Sequence, residues 1–536
     1  MYECPNCGGN LKFDIPSQQL ACAHCGTHLD PYAVKKETDA TEQDYFEATV
    51  FTCPQCAGEI FSTDNEAAAF CSFCGASTIL TSRISREKRP KFIIPFKKTK
   101  EDCKNAYAQT MRRAFFVPKE LKDPKYIDGF RGIYMPYWTY QLTQKGRVTL
   151  SGEKTYRRGD YVITDHYDLS GDLDAYYLGY SYDASSSFYD NISEALAPYD
   201  AKELVNFTPA FLSGFYADTA DIGEEVYRQD AIELANDSTL DRISKDKAFS
   251  GYHINSSKGG SRLGTKLRSA DNTMYPVWFL SYRNGDRIAY ATVNGQTGKV
   301  VADMPISPIR YLFASLVMAV PIYLLLNLFF TIRPPVLMGI ACVLALVSGI
   351  LYIMEMNAIG RKETNEDDRA IEIIRRKKQE DTAAAMEAGK AEKEREKTKR
   401  KNTSKKKNKL GKPTISFLIL ILYIICYGQL IMDLANLFLW PVILIAMVVC
   451  LIVGICRYKK VEDVKGLFGF IFATAAVLIS GLIRLFHPVS DIPYYIGAIL
   501  TLLADAFIFV DIIRNYNKLA MRRLPQFDKQ GGDDRA

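Results

Sequence analysis

The chain has 536 residues, 48% of them hydrophobic, and its 67 Lys and Arg residues against 61 Asp and Glu residues give a net charge of +6. This length accommodates several domains, and the composition excludes the collagen-like and low-complexity classes. The number of cysteines, 13, is odd, and eight of them form four Cys-x-x-Cys pairs. That pattern argues against a secreted disulfide framework and favours metal binding in a reducing compartment.

The N-terminal 82 residues contain two similar cysteine-rich units. In each unit the second Cys-x-x-Cys pair follows the first after 14 residues, and the two units are offset by 49 residues. Two such pairs supply the four thiolates of a tetrahedral zinc site. We therefore expect zinc ribbon 1 at residues 1–30, a linker at 31–50 and zinc ribbon 2 at 51–82, each with one structural Zn²⁺. Short strands are expected at Leu11–Phe13 and Gln19–Ala21. The predicted ligands are Cys4, Cys7, Cys22, Cys25, Cys53, Cys56, Cys71 and Cys74.

A closed site of four thiolates leaves no open coordination position, so the predicted zinc ions stabilise folding rather than catalyse a reaction. A redox role for Cys-x-x-Cys would not require four pairs. His24 and His28 are expected at the surface, since four thiolates already saturate the site. Residues 1–80 contain only three basic side chains. Because binding to phosphate depends on clustered basic charge, the ribbons favour protein partners over nucleic acid.

Residues 90–305 are expected to form a cytoplasmic α+β domain that is rich in β-strand. The run Ile133–Tyr140 is predicted to be a strand, and alternating stretches at Arg147–Leu150 and Tyr161–Tyr167 continue the strand pattern. Asn284-Gly285 is a typical hairpin turn. The similar runs Met135–Trp138 and Tyr275–Trp278 suggest two related sheets. Helices are predicted at Lys100–Phe115, Asp190–Leu196 and Asp221–Ile243.

The candidate catalytic residues of this region lack the motifs that catalysis needs, and we therefore expect the protein not to be an enzyme. Ser185–Ser187, His166 and His253 are candidate hydrolase residues, but no strand-turn-helix elbow surrounds the serines. The sequence contains no P-loop, no glycine-rich dinucleotide turn and no His-Glu-x-x-His motif. Cys103 has no paired cysteine and is predicted to be a buried apolar residue on its helix.

The C-terminal part contains six apolar windows, each long enough to cross a bilayer core of about 30 Å. Short turns join them into three predicted hairpins at 309–355, 414–457 and 466–514. Basic residues are concentrated on one side of these hairpins, which places the N-terminal region, the linker 356–413 and the tail 515–536 in the cytoplasm. We therefore expect a multi-pass protein of the cytoplasmic membrane. The windows are Tyr311–Phe330, Val336–Met354, Ile415–Met432, Leu437–Cys456, Leu467–Phe486 and Tyr494–Ile513.

The positive charge of the chain lies in the segment Arg361–Lys412. This segment has 19 basic and 11 acidic residues, a net of +8 against +6 for the whole chain, so the remainder carries −2. Its last part, Lys397–Lys412, has nine basic residues and no acid. Such a cluster beside a predicted span favours anionic lipid headgroups, while a flank that only fixes topology is the alternative. The predicted headgroup-binding residues are Lys405, Lys406, Lys407, Lys409 and Lys412.

Asp505 lies nearest to mid-depth among the acidic residues of the predicted spans. An intramembrane acid marks a proton path in some transporters and a helix-packing contact in other proteins. Transport of a small solute or of protons is therefore kept as an alternative function.

The order of these parts resembles a family of membrane-anchored zinc-ribbon proteins of Gram-positive bacteria, often labelled TFIIB-type zinc-ribbon proteins. The resemblance rests on Cys4-Pro5-x-Cys7, the run Gly132–Trp138, Asp183–Ser187, and Pro276-Val277-Trp278 followed by Asn294–Lys299. It covers about residues 1–355 and implies cooperation with flotillin-like and phage-shock (PspA-like) proteins in the response to envelope stress. This chain departs from the family by its duplicated ribbon, its charged linker and four further spans.

The sequence thus predicts a non-enzymatic membrane scaffold whose zinc ribbons and β-rich domain recruit protein partners, with anionic lipids as a second kind of partner. A regulated transporter is the first alternative, and a membrane-tethered DNA-binding regulator is the second. The identity of the partner and the oligomeric state stay open.

Overall fold

The computed structural model describes residues 2–34, 45–62, 71–76, 80–249, 251–254, 263–285, 287–329, 333–363, 369, 442–443, 445–450, 452–455, 467–486 and 488–525. The described residues belong to two compact units. The sheet unit lies within Met1–Pro305, Asn365–Ile374 and Ala520–Ala536, and the helical unit lies within Ile306–Thr364 and Arg375–Leu519.

The first cysteine-rich segment forms a small antiparallel sheet of its own, in which four strands pair in chain order. Alternation along the strands directs Leu11, Phe13 and Leu20 into the protein core, and this explains why the two strands expected from the sequence form here. The strands are β1 (Tyr2–Glu3), β2 (Asn10–Asp14), β3 (Gln19–Cys22) and β4 (His28–Leu29).

A second, larger sheet contains the remaining 13 described strands. Its main path runs β11-β8-β14-β9-β12-β6-β5-β7, while β10 and β13 pair with β9, and β15 pairs with β14, β16 and β17. The strands are β5 (Tyr45–Thr52), β6 (Glu59–Ser62), β7 (Thr81–Lys88), β8 (Phe92–Ile93), β9 (Arg131–Arg158), β10 (Tyr161–Asp183), β11 (Val205–Asn206), β12 (Tyr216–Ala217), β13 (His253–Ile254), β14 (Lys266–Asn284), β15 (Arg287–Asn294), β16 (Val300–Ala302) and β17 (Arg522–Arg523).

The second cysteine-rich segment is part of this large sheet, which corrects the expectation of a separate ribbon at 51–82. Strand β5 already begins at Tyr45, inside the predicted linker, and pairs with β6 and β7. Strand β6 pairs in turn with β12 through Phe61 and Ala217. The pairing satisfies backbone groups at a ribbon edge, which a free ribbon would leave to water.

The helices of the sheet unit cover the sheet with narrow apolar faces. Helix α1 (Lys100–Arg113) begins with a capping box between Thr99 and Asp102, and it buries Cys103, Tyr107 and Met111 at a spacing of four residues. Cys103 is therefore buried, as predicted. The other α-helices are α2 (Pro124–Ile127), α3 (Asp190–Leu196) and α4 (Arg228–Lys245), and short 3₁₀ turns occur at Glu120–Lys122, Ala201–Glu203 and Pro209–Leu212.

The two Pro-containing runs predicted to belong to two related sheets lie on neighbouring strands of one sheet. Strands β9 and β14 pair antiparallel, with Met135 opposite Tyr275 and Pro276 opposite Tyr134. The similarity therefore reflects two adjacent central strands with the same buried environment. Beyond this central region β9 continues with β10 as a long two-stranded arm that turns at Gly159.

The described part of the helical unit contains three helices long and apolar enough to cross a membrane, at Pro334–Ile359, Gly469–Phe486 and Ile492–Lys518. This does not support six spans in three hairpins. The predicted first span, Tyr311–Phe330, falls on a helix that is described from Pro308 to Phe329. The predicted span Ile415–Met432 lies outside the described residues, and Leu437–Cys456 is described only in pieces. The long helices are α5 (Pro308–Phe329), α6 (Pro334–Glu363), α7 (Leu467–Phe486) and α8 (Ile492–Ala520).

Candidate metal centres

All four Cys-x-x-Cys knuckles have the same backbone geometry. In each, the N–H of the first cysteine donates to the carbonyl five residues later, over 2.7 Å in the first knuckle and 2.9 Å in the others. The N–H of the fourth residue after that cysteine donates back to the cysteine carbonyl. This fourth residue adopts a positive φ, which tightens the turn and brings both thiols to one side. The positive-φ residues are Gly8, Gly26, Ala57 and Gly75.

The first centre is formed by Cys4, Cys7, Cys22 and Cys25. Their sulfur atoms lie within 4.8 Å of one another, with 3.5 Å between Cys4 Sγ and Cys25 Sγ and the same distance between Cys7 Sγ and Cys22 Sγ. Four sulfurs placed 2.3 Å from a central zinc at tetrahedral angles are about 3.8 Å apart. The arrangement is therefore compatible with a zinc site.

The second centre is formed by Cys53, Cys56, Cys71 and Cys74. Its sulfur atoms also lie within 4.8 Å of one another, and the pairs Cys53–Cys74 and Cys56–Cys71 are each 3.7 Å apart. These distances agree with the tetrahedral value. Both groups of four predicted ligands are thus brought together at ligand distance, and the donor set of four soft sulfurs suits zinc.

The two centres differ in burial. All four cysteines of the second centre are buried, and they pack with apolar side chains such as Phe51, Ile60 and Phe73 in one cluster. In the first centre Cys4 and Cys22 are buried, whereas Cys7 and Cys25 are exposed. Water and dissolved reagents therefore reach only the first centre directly.

Interactions within each centre lower the pKa of some cysteines and raise the pKa of others. The hydroxyl of Thr27 lies 3.1 Å from Cys25 Sγ. Hydrogen bonds from this hydroxyl, and then from the Thr27 backbone N–H, lower the pKa of Cys25 to about 6. In the second centre, hydrogen bonds with Cys56 and then with Cys71 and Cys74 hold the pKa of Cys53 far below its ordinary range. Several thiolates this close together repel one another unless a cation compensates their charge, and a divalent metal ion supplies that compensation.

The first centre is held to the rest of the sheet unit by strand β2 and the turn that follows it. The N–H of Phe13 donates to the carbonyl of Ser213 over 3.0 Å, and the Ser213 hydroxyl donates to the carbonyl of Leu11 over 2.6 Å. The Gln18 amide donates to the carbonyl of Phe96 over 2.8 Å. The ring of Phe13 meets that of Phe211 edge-on, with 5.3 Å between their centroids. The apolar face of ribbon 1 is thus used inside the sheet unit.

The remaining predicted site residues are placed as follows. His24 and His28 are exposed, and neither belongs to the described metal-ligand groups. The Ser185 hydroxyl donates to Asp218 over 2.5 Å in a buried contact, while His166 lies 3.5 Å from Glu153 on the arm. The five lysines of the predicted headgroup-binding site lie outside the described residues.

Asp505 lies on helix α8 with 4% of its surface exposed. Ser480 and Thr501, which are 3.2 Å apart, are further buried polar residues of the helical unit. Asp511, also buried, has Arg514 at 3.6 Å. Within the described residues neither carboxylate oxygen of Asp505 has a hydrogen-bond partner.

Sequence reasoning missed the residues that hold ribbon 1 in place, because Ser213 and Gln18 are common polar residues with no motif around them. It also missed the exposed aromatic residues at the end of the β9–β10 arm. A signal for the arm exists in the run Tyr156-Arg157-Arg158-Gly159-Asp160-Tyr161, where a glycine turn lies between two tyrosines.

Comparison with known proteins gives one informative relative. The uncharacterized protein YdjG of Bacillus subtilis (strain 168) is 30% identical over 310 residues, which are 57% of this chain and 90% of that protein. No protein-family model matches the chain, and no solved structure matches it. An identity of 30% that covers nine-tenths of YdjG shows common descent, so this chain belongs to the same family as YdjG.

Proposed function

We propose that the protein is a non-enzymatic membrane adaptor, in which two structural zinc ions hold together a sheet unit that recruits protein partners. The observation that carries the proposal is the pair of four-cysteine centres, each made of four sulfurs and each with at least two of its cysteines in the core of the sheet unit. A zinc ion with four protein ligands has no position left for a water or a substrate. Its contribution is folding free energy.

The membrane part of the proposal rests on helices α6, α7 and α8. Each is long and apolar enough to cross a bilayer. The distribution of basic residues along the sequence supports a cytoplasmic position for both termini in a cytoplasmic-membrane protein. Anionic lipids remain proposed partners of the lysine cluster Lys405–Lys412.

The partners are proposed from the resemblance alone. Flotillin-like and PspA-like proteins are the first candidates, in the setting of bacterial envelope stress. The basic count of residues 1–80 still disfavours nucleic acid. Because the apolar face of ribbon 1 packs against Phe211, the surface left for a partner is the exposed knuckle around Ala23 and His24.

The test uses the full chain, purified from membranes with a mild detergent. The variant Ala23→Glu plus His24→Glu changes the exposed knuckle and leaves all eight cysteines in place. The matched control, Gln229→Glu plus Leu234→Glu, introduces two acidic residues on exposed positions of α4. Zinc content is measured in all three proteins.

We expect a stoichiometric partner to copurify with the parent and the control and to be lost from the knuckle variant at unchanged zinc content. Recovery of the partner with both variants would exclude docking through ribbon 1. The absence of any stoichiometric partner from the parent would contradict the adaptor function. Replacement of Cys53 and Cys56 is less informative, since these side chains are buried and their loss disturbs the fold itself.

Transport is a second candidate, favoured by the buried carboxyl group of Asp505. A buried acid without a hydrogen-bond partner among the described residues is costly unless a proton or cation neutralises it. Proteoliposomes with a pH-sensitive dye inside would report proton flux under a potassium diffusion potential. Transport predicts flux that Asp505→Asn abolishes and Asp511→Asn retains, because Asp511 has Arg514 beside it. No flux above that of empty liposomes would exclude proton transport.

A further inference from the structure

The end of the β9–β10 arm carries several large side chains that are exposed to solvent. The supported part of the arm ends at Glu153, where β13 pairs with β9. Beyond it, the segment Thr155–Thr164, here named the arm tip, has only the ladder between β9 and β10 among the described strands. Gly159, in the turn, is the sixth residue after Glu153, so the free part extends roughly 20 Å at about 3.3 Å per residue.

The register of the arm tip places aromatic, apolar and basic side chains together. Tyr156 lies opposite Ile163, Arg158 opposite Tyr161, and Arg157 opposite Val162. Opposite residues of an antiparallel pair share one face, and successive residues alternate between faces. One face therefore carries Tyr156, Ile163, Arg158 and Tyr161, and the other carries Arg157 and Val162. The exposed fractions are 77% for Tyr161, 67% for Val162 and 45% for Tyr156.

Basic residues of the lower arm lie beside acidic residues, whereas the two arginines of the arm tip do not. Lower on the arm, Lys145 lies 3.6 Å from Asp174, and Arg147 lies opposite Asp172. At the tip, the partners of Arg157 and Arg158 across the ladder are Val162 and Tyr161, and neither arginine forms an ion pair within the described residues. The single acid of the tip is Asp160, in the turn.

Tyrosine at a boundary between apolar and polar surroundings, flanked by arginine, is the composition that proteins place at the interface of a bilayer. A chain with membrane-competent helices always has a bilayer available. We propose that the arm tip docks on a bilayer that contains anionic lipids, with Arg157 and Arg158 at the headgroups and Tyr161 and Val162 in the interfacial layer. This inference goes beyond the proposed adaptor function and does not depend on any protein partner.

The experiment uses the full chain in lipid nanodiscs, made either from phosphatidylcholine alone or from a 7:3 mixture, roughly, of phosphatidylcholine and brominated phosphatidylglycerol. Bromine quenches tryptophan at short range, so Tyr161→Trp reports contact of the tip with lipid. The matched control is Tyr176→Trp, which is 49% exposed on the same strand but near the base of the arm. The fluorescence of the parent is subtracted to remove its three native tryptophans.

We expect the tryptophan at position 161 to lose at least half of its fluorescence in discs with brominated phosphatidylglycerol, while that at 176 loses little. Arg157→Glu plus Arg158→Glu, added to Tyr161→Trp, should reverse the quenching, since the charge is then repelled. Equal quenching at 161 and 176 would overturn the proposal, and so would quenching that survives the double charge reversal. An emission shift on addition of single-stranded DNA but not of anionic lipid would assign the tip to nucleic acid instead.

Discussion

At the residue scale, one backbone position of each knuckle decides how well the thiols are held. Gly8, Gly26 and Gly75 adopt the left-handed conformation there, and Ala57 adopts it with φ of 56°. An L-residue with a side chain pays roughly 1 to 2 kcal/mol for this conformation. A methyl group added at Gly26 would meet no atom within 4 Å, so that its cost would be conformational only.

We predict that Gly26→Ala destabilises the first centre by about 1 kcal/mol. Ala57→Gly should stabilise the second centre, by a smaller amount. The gain at Ala57 is smaller because glycine has more backbone entropy to lose and because a buried methyl group is removed. Urea-induced release of zinc, followed for the purified full chain with a chromogenic chelator, measures both effects. If Gly26→Ala leaves the urea concentration at half-release of zinc unchanged, a side chain at this position does not strain the left-handed turn.

At the scale of elements, the two cysteine centres have the same spacing and the same turns but different surroundings. The sequence predicts both groups of ligands, since the spacing brings them within reach of one metal ion without help from the rest of the chain. It does not predict that Cys7 and Cys25 are exposed while Cys53 and Cys56 are buried. That difference arises from β6 pairing with β12, more than 150 residues away in the chain.

This difference predicts two rates of metal loss. With zinc bound, a strong chelator should remove one ion per chain quickly from the first centre, and the second ion only when the sheet unit opens, because a buried centre exchanges by local or global unfolding. Stopped-flow and manual mixing with excess chelator should therefore resolve two phases of equal amplitude. Cys25→Ser should remove the fast phase and leave the slow one. A single phase for the parent would mean that both centres open together.

Local elements are the part of the fold that the sequence predicts best. Helix α3 has the predicted bounds, α1 ends two residues early at Arg113, and α4 begins seven residues late at Arg228. The full length of β9 is not predicted, because the sequence indicates separate short strands and the last five residues of β9 are exposed on both faces. The register between strands that are distant in the chain cannot be predicted from the sequence either, because side chains of similar size and polarity fit several neighbours equally well.

At the scale of the whole molecule, the chain leaves the sheet unit before helix α5 and returns to it after helix α8. The returning segment forms β17, which pairs with β15 through Arg522 opposite Ile288 and Arg523 opposite Arg287. Arg287 donates from its guanidinium to the carbonyl of Met521 over 3.0 Å. The segment that follows the last long helix is therefore part of the sheet unit and is held at an edge of the large sheet by both backbone and side-chain contacts.

The side chain of Arg522 makes further contacts with the sheet unit, and replacing it tests how much strand β17 contributes to stability. The side chain is 5% exposed, its guanidinium lies 3.7 Å from the centroid of the Tyr189 ring, and it donates to the Asn191 side-chain oxygen over 2.8 Å. A desolvated cation–π contact together with a partly buried hydrogen bond predicts a loss of about 2 kcal/mol in the free energy of unfolding for Arg522→Ala.

Arg268→Ala is the matched control, because Arg268 is exposed and lies 5.9 Å from the centroid of the Tyr176 ring. Arg268→Ala should lower the free energy of unfolding by less than about 0.5 kcal/mol. Urea unfolding of the solubilised full chain, followed by tryptophan fluorescence, compares the two variants, and hydrogen exchange of β15 locates the change. Faster exchange at Ile288 in Arg522→Ala alone is expected, because the edge of β15 then loses its neighbour. Equal stability of the two variants would mean that β17 follows the sheet edge without contributing to its stability.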